Sequence, residues 1–167
     1  MQAITIAQAQ KLTSPNPFAL ITSIDAGGRP NVMALSWWTY VSNHPTTVAI
    51  CLSQKGYTGS LIAETGEFGL NIVGHALQEA AFQCGCHSGR NMDKAMEYSI
   101  PLTPSTHIAP PLVKGSRVAM ECRLIQTLPV QDHTLFIAEV VGIYGDAATP
   151  GLYAMNGYGK LGTVSAE

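Results

Sequence analysis

Two short segments of this chain carry side chains suited to an anion. In CLSQKGYTGSLI, residues 51–62, an apolar run ends, the chain turns at Gly56, and a helical pattern begins near Thr58. The first turn of a helix leaves backbone N–H groups without intrahelical partners and carries the positive end of the helix dipole, so it suits a phosphate. Ser53, Tyr57, Thr58 and Ser60 add hydroxyl donors there, and Lys55 adds charge. The same residue types also make an ordinary helix cap. In HSGRNMDKAME, residues 87–97, Ser88, Arg90 and Lys94 surround a second expected helix start, where Asp93 equally suits a solvated cap. A third segment, PNVMALSWWTYVSNHP, residues 30–45, sets the chain's only two tryptophans, Trp37 and Trp38, side by side. Such a pair either fills a core or flanks something flat and aromatic.

Other motifs fail on context. GYGKLG, residues 157–162, spells the GxGxxG dinucleotide pattern. That pattern needs a strand before it and a full helix after it, and only five residues of the sequence follow Gly162. CGCH, residues 84–87, has one residue between its cysteines where haem attachment needs two, and adjacent residues rarely supply three ligands of a zinc tetrahedron. It reads as a loop with incidental thiols. No Walker loop, GxSxG or HExxH is present, which leaves nucleophilic hydrolysis without support.

Composition narrows the classes further. Of 167 residues, 46% are hydrophobic and only 12% are charged, about half the usual ~25%. A monomer of this size needs more charge to cover its surface, so much of that surface is expected to be buried against a second copy. A net charge of −2 without a basic cluster argues against nucleic acid as a partner. No apolar run reaches the ~18 residues of a membrane span. MQAITIAQAQKL lacks the basic start and apolar block of a signal peptide. The expectation is a cytoplasmic protein with free thiols at Cys51, Cys84, Cys86 and Cys122.

The elements that must position these residues are mainly strands. FALITSIDAGGRPNVMALSWWTYVS reads as two β-rich runs joined by a DAGGRP hairpin, since Gly27 and Gly28 permit positive φ. TTVAICLS is a third strand and FGLNIV a fourth, with a short helix from Tyr57 to Thr65 between them and Gly66 as its stop. HALQEAAFQC is helical by propensity, HSGRN is a loop, and MDKAMEY is a short helix. PLTPSTHIAPPLV is Pro-rich and expected to wrap the surface irregularly. SRVAMECRLIQTLPV, with Val118, Met120, Cys122 and Leu124 alternating, and HTLFIAEVVGIYGD are two long strands turned at PVQD. The Gly-rich segment 147–167 is expected to be weakly ordered at its end. About six hairpin-connected strands without long alternating helices predict a closed or nearly closed antiparallel barrel.

The ordered set PFALITSIDAGGRPNVMALSWWTYVSNHP, TGEFGLNIV, CGCHSGRNMDKAME and QDHTLFIAEVVGI resembles the flavin reductase-like, FMN-binding split-barrel proteins, in particular their flavoredoxin-like branch. The resemblance spans about residues 16–146. It implies one domain over 1–167: a mainly β, six-stranded antiparallel Greek-key split barrel with a few short flanking helices, forming a homodimer with FMN near its interface. It implies that Met33, Ala34, Leu35, Ser36 and Trp37 run along the edge of the isoalloxazine ring, with Asn31 at the start of that strand. Ser36 would be a donor, and Trp37 or Trp38 part of an apolar wall. Strand alternation puts 37 and 38 on opposite faces, so only one should touch the ring. Phosphate contacts fall on Ser53, Tyr57 and Thr58, with Ser88 and Arg90 from the SGR loop and Lys94 close by. His133 matches a position over the flavin that helps place a nicotinamide. Two departures stand out: the order QKGYT in the phosphate segment, which turns Lys55 away, and Ala138 where relatives often have Gly, which narrows the space above the ring.

These readings imply a flavin reductase that passes hydride from NAD(P)H to FMN, supplying position and electrostatic support and no catalytic side chain. The alternatives are an electron carrier with tightly held FMN, or a reductase of another small substrate with FMN as its prosthetic group. A flavin-dependent monooxygenase or another redox protein would be the partner.

Overall fold

Strands form in this chain where β-branched and aromatic residues run together, and polar turns end them. The computed structural model describes residues 2–164. Helix α1 (Ile6–Leu12) is followed by β1 (Asn16–Pro17), β2 (Ala19–Ile24), β3 (Pro30–Leu35), β4 (Trp38–Asn43) and β5 (Thr46–Ser53). Then come α2 (Tyr57–Thr65), β6 (Glu67–Val73), a short 3-10 turn (His75–Leu77), α3 (Gln78–Cys86) and α4 (Lys94–Glu97). Two small strands, β7 (Leu102–Thr103) and β8 (Leu112–Val113), precede the long β9 (Ser116–Val130) and β10 (His133–Gly145). The short β11 (Leu152–Ala154) pairs with β1 on one side and β12 (Leu161–Thr163) on the other, in a separate sheet.

Seven strands form the main antiparallel sheet in the order β3-β2-β6-β9-β10-β5-β4. The β2–β3 hairpin closes as its sequence predicts: the Asp25 carboxylate accepts from the N–H groups of Gly27 and Arg29 at 3.0 and 2.9 Å. β3 and β4 are consecutive in the chain yet occupy opposite edges of the sheet. Only Ser36 and Trp37 join them, and a residue spans at most about 3.6 Å. The sheet must therefore roll until its edges nearly meet at these two residues. The Trp37 carbonyl accepts from Cys51 N–H at 2.9 Å and ties the junction to β5. The product is a mainly β split barrel with short helices outside it, the architecture the sequence implied. One expectation changes: the run from Pro30 to Ser42 is two strands, not one, and the barrel sheet has seven strands rather than six. The break lets Val32, Ala34 and Leu35 stay buried while β4, beyond Trp38, faces outward.

The barrel interior holds Ile21, Ile50, Phe68, Leu70, Met120, Cys122 and Phe136, capped by Ile62 of α2. That helix ends as predicted at Gly66, whose N–H returns to the Ile62 carbonyl at 2.8 Å. Register shifts at Ile137/Ala138 and Val140/Gly142 bend the β9–β10 hairpin, as bulges do, and help the sheet to coil. Ala138 points into this core and borders none of the cavities described below, so the expectation that it narrows the space above a ring does not hold.

A second cluster lies on the outer face of β2 and β3. There Phe18, Leu20 and Val32 meet Ala81 and Cys84 of α3, Ile100, and Leu152, Ala154 and Leu161. The Gly-rich tail is thus part of the packed structure through residues 152–154 and 161–163; residues 165–167 lie outside the described residues. The Pro-rich segment 101–113 is also more regular than expected, since β7 and β8 pair and Leu112 and Val113 are buried.

Glu121 fastens that segment to β9. It is fully buried and accepts from the N–H groups of Thr106 and His107 and from the Tyr144 hydroxyl. Burial pushes its pKa up, but the three donors outweigh this and hold it below the usual carboxylate range. Glu121→Gln sets a donor against these donors and should cost about 1–3 kcal/mol in urea unfolding at pH 7. A depressed carboxyl stabilises the fold above its unfolded pKa, and that contribution is lost as pH falls through the lower folded value. The gap between variant and parent should therefore narrow as pH is taken below about 4.

Candidate functional site

The expected residues gather where the barrel is split. Two cavities of about 230 and 320 Å³ meet at Met33, Ala34, Gly56 and Tyr158. Together they match the ~300–1,000 Å³ of small-molecule sites. A larger cavity, about 360 Å³, lies between Thr103 and Tyr144 and contains none of the expected residues; Glu121, at its wall, already has its three donors.

One end of the groove is apolar. Met33, Ala34 and Leu35 on β3 face Cys51, Leu52 and Ser53 on β5, with Trp37 and His133 at the rim. Trp37 is 44% exposed and its ring lies 5.0 Å from that of His133, inclined at 36°. His133 Nδ1 pairs with the Asp132 carboxylate at 2.9 Å, and that pairing holds Asp132 below the usual carboxylate range. Trp38, by contrast, packs against the barrel core, so the two tryptophans divide as strand alternation requires. Ser36 does not offer its backbone to the cavity: its N–H donates to the Tyr158 hydroxyl at 2.7 Å.

The other end is polar and electropositive. Helix α2 begins just after Gly56, its N-cap, with no side chain capping it, so its first N–H groups remain open. Thr58, 3% exposed, lines the cavity; its Oγ1 accepts from Asn31 Nδ2 at 2.9 Å and donates to no acceptor among the described residues. Asn31 is buried, also donates to Ser23 Oγ at 3.1 Å, and borders neither cavity. It orients Thr58 rather than touching a ring. Ser88 and Gly89 line the cavity, and a Cβ at Gly89 would collide with Asn31 Oδ1, so only glycine lets the loop approach this closely. Tyr57 lines it too and carries the Arg90 guanidinium 5.1 Å from its ring centre; Arg90 itself stays outside the cavity. Ser60 turns back to the Tyr57 carbonyl at 2.7 Å and takes no part.

Lys94 is the strongest electrostatic feature. It is 4% exposed, lines the cavity, and its Nζ donates to the carbonyls of Cys84 and His87 at 3.0 and 2.9 Å. Burial pulls its pKa down, and no carboxylate pairs with it among the described residues. The CGCH segment is the end of α3 rather than a loop. Cys84 is buried, with its thiol pushed up to about 11 by burial, whereas Cys86 is exposed. Residues two apart on a helix face different sides, and no group of three His, Cys, Asp or Glu side chains converges among the described residues.

The chain matches the flavin reductase like domain over residues 12–162. It belongs to that family. Among its relatives, the Uncharacterized protein YddH of Escherichia coli is 37% identical over 148 residues, covering 86% of this chain and 78% of that protein. The flavin reductase (NADPH) of Lentzea aerocolonigenes is 29% identical over 155 residues, covering 91% and 88%. The flavoredoxin of Desulfovibrio vulgaris (Miyazaki F) superposes with a TM-score of 0.87 at 26% identity, covering 100% of this chain and 95% of that one. Family membership agrees with an oxidoreductase. Among the described residues no helix is long and apolar enough to cross a membrane.

Cys51 and Tyr158 are among the groove residues that were not anticipated. Cys51 lines the apolar end, its thiol raised by burial and by the Asp132 charge; nothing in TTVAICLS distinguishes it from a core residue. Tyr158 borders both cavities, and its only signal was the GYGKLG motif set aside on context. Asn31→Ala removes the donor shared by Ser23 and Thr58 and should lower stability by about 1–3 kcal/mol in urea denaturation.

Proposed function

We propose that this groove binds FMN and that the protein is an NAD(P)H-dependent flavin reductase. The observation that carries the reading is the buried Lys94 ammonium, facing a cavity without a carboxylate to neutralise it. A buried cation needs a counter-charge, and here the uncapped α2 N–H groups and the Thr58 hydroxyl join it. That donor set fits a phosphate. The adjoining slot of Met33, Ala34, Leu35 and Trp37 fits a flat, largely apolar ring. The two ends lie in one groove, as a ring linked to a phosphate requires.

In this reading Thr58, Tyr57, Ser88 and Lys94 hold the phosphate end, with Arg90 bracing Tyr57 and Asn31 fixing the Thr58 rotamer; Ser53, expected among the phosphate contacts, lines the apolar slot instead. Met33, Ala34, Leu35 and Trp37 border the ring, with Ser36, whose N–H is taken by Tyr158, at its edge. When bound, FMN supplies the ring position that accepts hydride from NAD(P)H. The chain contributes an apolar slot that excludes water and a rim at Trp37 and His133 against which the nicotinamide stacks. A relative named a flavin reductase (NADPH) supports nicotinamide as the electron source. No residue of the groove is needed as acid or base.

The protein acts as a cytoplasmic homodimer that delivers reduced flavin to a monooxygenase or another redox protein. Its low charge supports a second copy, as do the exposed Tyr40 and Val41 on the edge strand β4 and Ile125 and Leu128 on the long hairpin. The second reading, a carrier with tightly bound FMN, draws on the likeness to a flavoredoxin.

Thr58→Ala should weaken FMN binding about tenfold, as the loss of a charge-assisted hydrogen bond implies, and leave riboflavin binding nearly unchanged. Fluorescence titrations with both ligands check this; equal losses would remove Thr58 from the phosphate end. The activity test is anaerobic: FMN-loaded protein should bleach on addition of NADH or NADPH. Yellow protein that survives dialysis and bleaches with neither nucleotide would replace the reductase with the carrier.

A further inference from the structure

Tyr158 sits where the site's compartments meet. Its side chain borders the apolar slot, the polar cavity and two further cavities. One of these, about 320 Å³, lies between α1, Ser36 and the loop 156–159; the other lies against Phe82 and Leu161. We propose that Tyr158 is a gate on the ring end of the site: its phenol accepts the Ser36 N–H and gives that donor up when flavin binds. The inference rests on the flavin-binding reading above.

Three observations carry it. First, β3 is an edge strand, so the N–H of Ser36, just beyond its end, has no neighbouring strand to donate to on the open side. A backbone donor in a partly buried place needs an acceptor, and the Tyr158 oxygen supplies one at 2.7 Å. A ring carbonyl at the same edge needs the same donor, and one N–H serves one strong acceptor at a time.

Second, Tyr158 is set between Gly157 and Gly159. Gly157 has φ +54, a conformation that a side chain disfavours, and the loop is tied down by few bonds: Gly157 N–H to Ser14 Oγ at 3.0 Å, Gly159 N–H to the Asn156 carbonyl at 3.1 Å and Met155 N–H to the Lys160 carbonyl at 2.8 Å. The phenol ring itself rests edge-on against Phe18, 6.4 Å between centres. The glycines leave the backbone on both sides of Tyr158 without side-chain restraint between these bonds, which gives the GYGKLG glycines a purpose unrelated to a dinucleotide.

Third, the phenol has somewhere to go. The 320 Å³ cavity beside α1 is bounded by Ser36, Trp37 and the loop itself, so a rotation of Tyr158 away from the slot moves it into existing space rather than into packed side chains.

Tyr158→Phe keeps the ring and removes the oxygen that competes for Ser36. FMN titrations followed by flavin fluorescence should show the variant binding about three- to tenfold more tightly, the equivalent of one net hydrogen bond, with stopped-flow mixing assigning the gain to faster association. Tyr158→Leu should shift affinity the same way, and urea unfolding confirms that each variant is folded. Unchanged or weaker binding in the folded variants, with the parent binding FMN, would overturn the gate and leave the flavin site standing. Failure of the parent chain to bind FMN would overturn both.

Discussion

The two-residue link between β3 and β4 is the constraint on which the rest of this structure depends. Consecutive strands ordinarily pair, but here they lie at opposite edges of a seven-stranded sheet, and Ser36 and Trp37 alone must bridge them. A chain that short leaves the sheet no choice but to curl. The curl creates an enclosed apolar interior, and it also creates a seam, because β3 and β4 diverge on either side of the link. The groove opens along that seam. Barrel closure and site formation are therefore one geometric event, and the bond from Cys51 N–H to the Trp37 carbonyl holds it in place.

Around the seam, two kinds of forces are kept apart. The slot between β3 and β5 is lined mainly by side chains that gain from burial, with Ser53, His133 and Tyr158 as its polar members. The far cavity gathers donors: an uncapped helix start, a hydroxyl, and an ammonium whose two carbonyl partners carry no net charge to offset it. Asn31 connects the halves. It stands on the strand that walls the slot, yet it spends its amide on Ser23 and on Thr58 at the mouth of α2. The helix start is thus held in register with the barrel edge, and Gly89 brings the SGR loop against the same amide.

The tail completes the arrangement from outside. Leu152, Ala154 and Leu161 join the second apolar cluster on the outer face of β2 and β3, which anchors the loop that carries Tyr158. Burial fixes the two ends of that segment, and Gly157 and Gly159 flank Tyr158 between them.

The sequence by itself determined the elements whose cause is local. The DAGGR turn, the helix from Tyr57 to its Gly66 stop, the Asp93 cap before α4 and the alternation in β9 follow from side chains and backbone within a few residues. The resemblance supplied the split-barrel architecture and drew the site residues together, most of which line one groove. What local pattern could not show was where contacts of long sequence separation decide. The run through Trp37 looks like one strand because its residues favour extension, and only barrel closure breaks it. Lys94 is expected near the phosphate, but its burial under the carbonyls of Cys84 and His87 appears only in the fold. Tyr158 lies 122 residues from Ser36, and no periodicity spans that distance. Its place in the groove is decided by burial of the flanking tail strands against the outer face of β2 and β3, a contact between residues far apart in the chain.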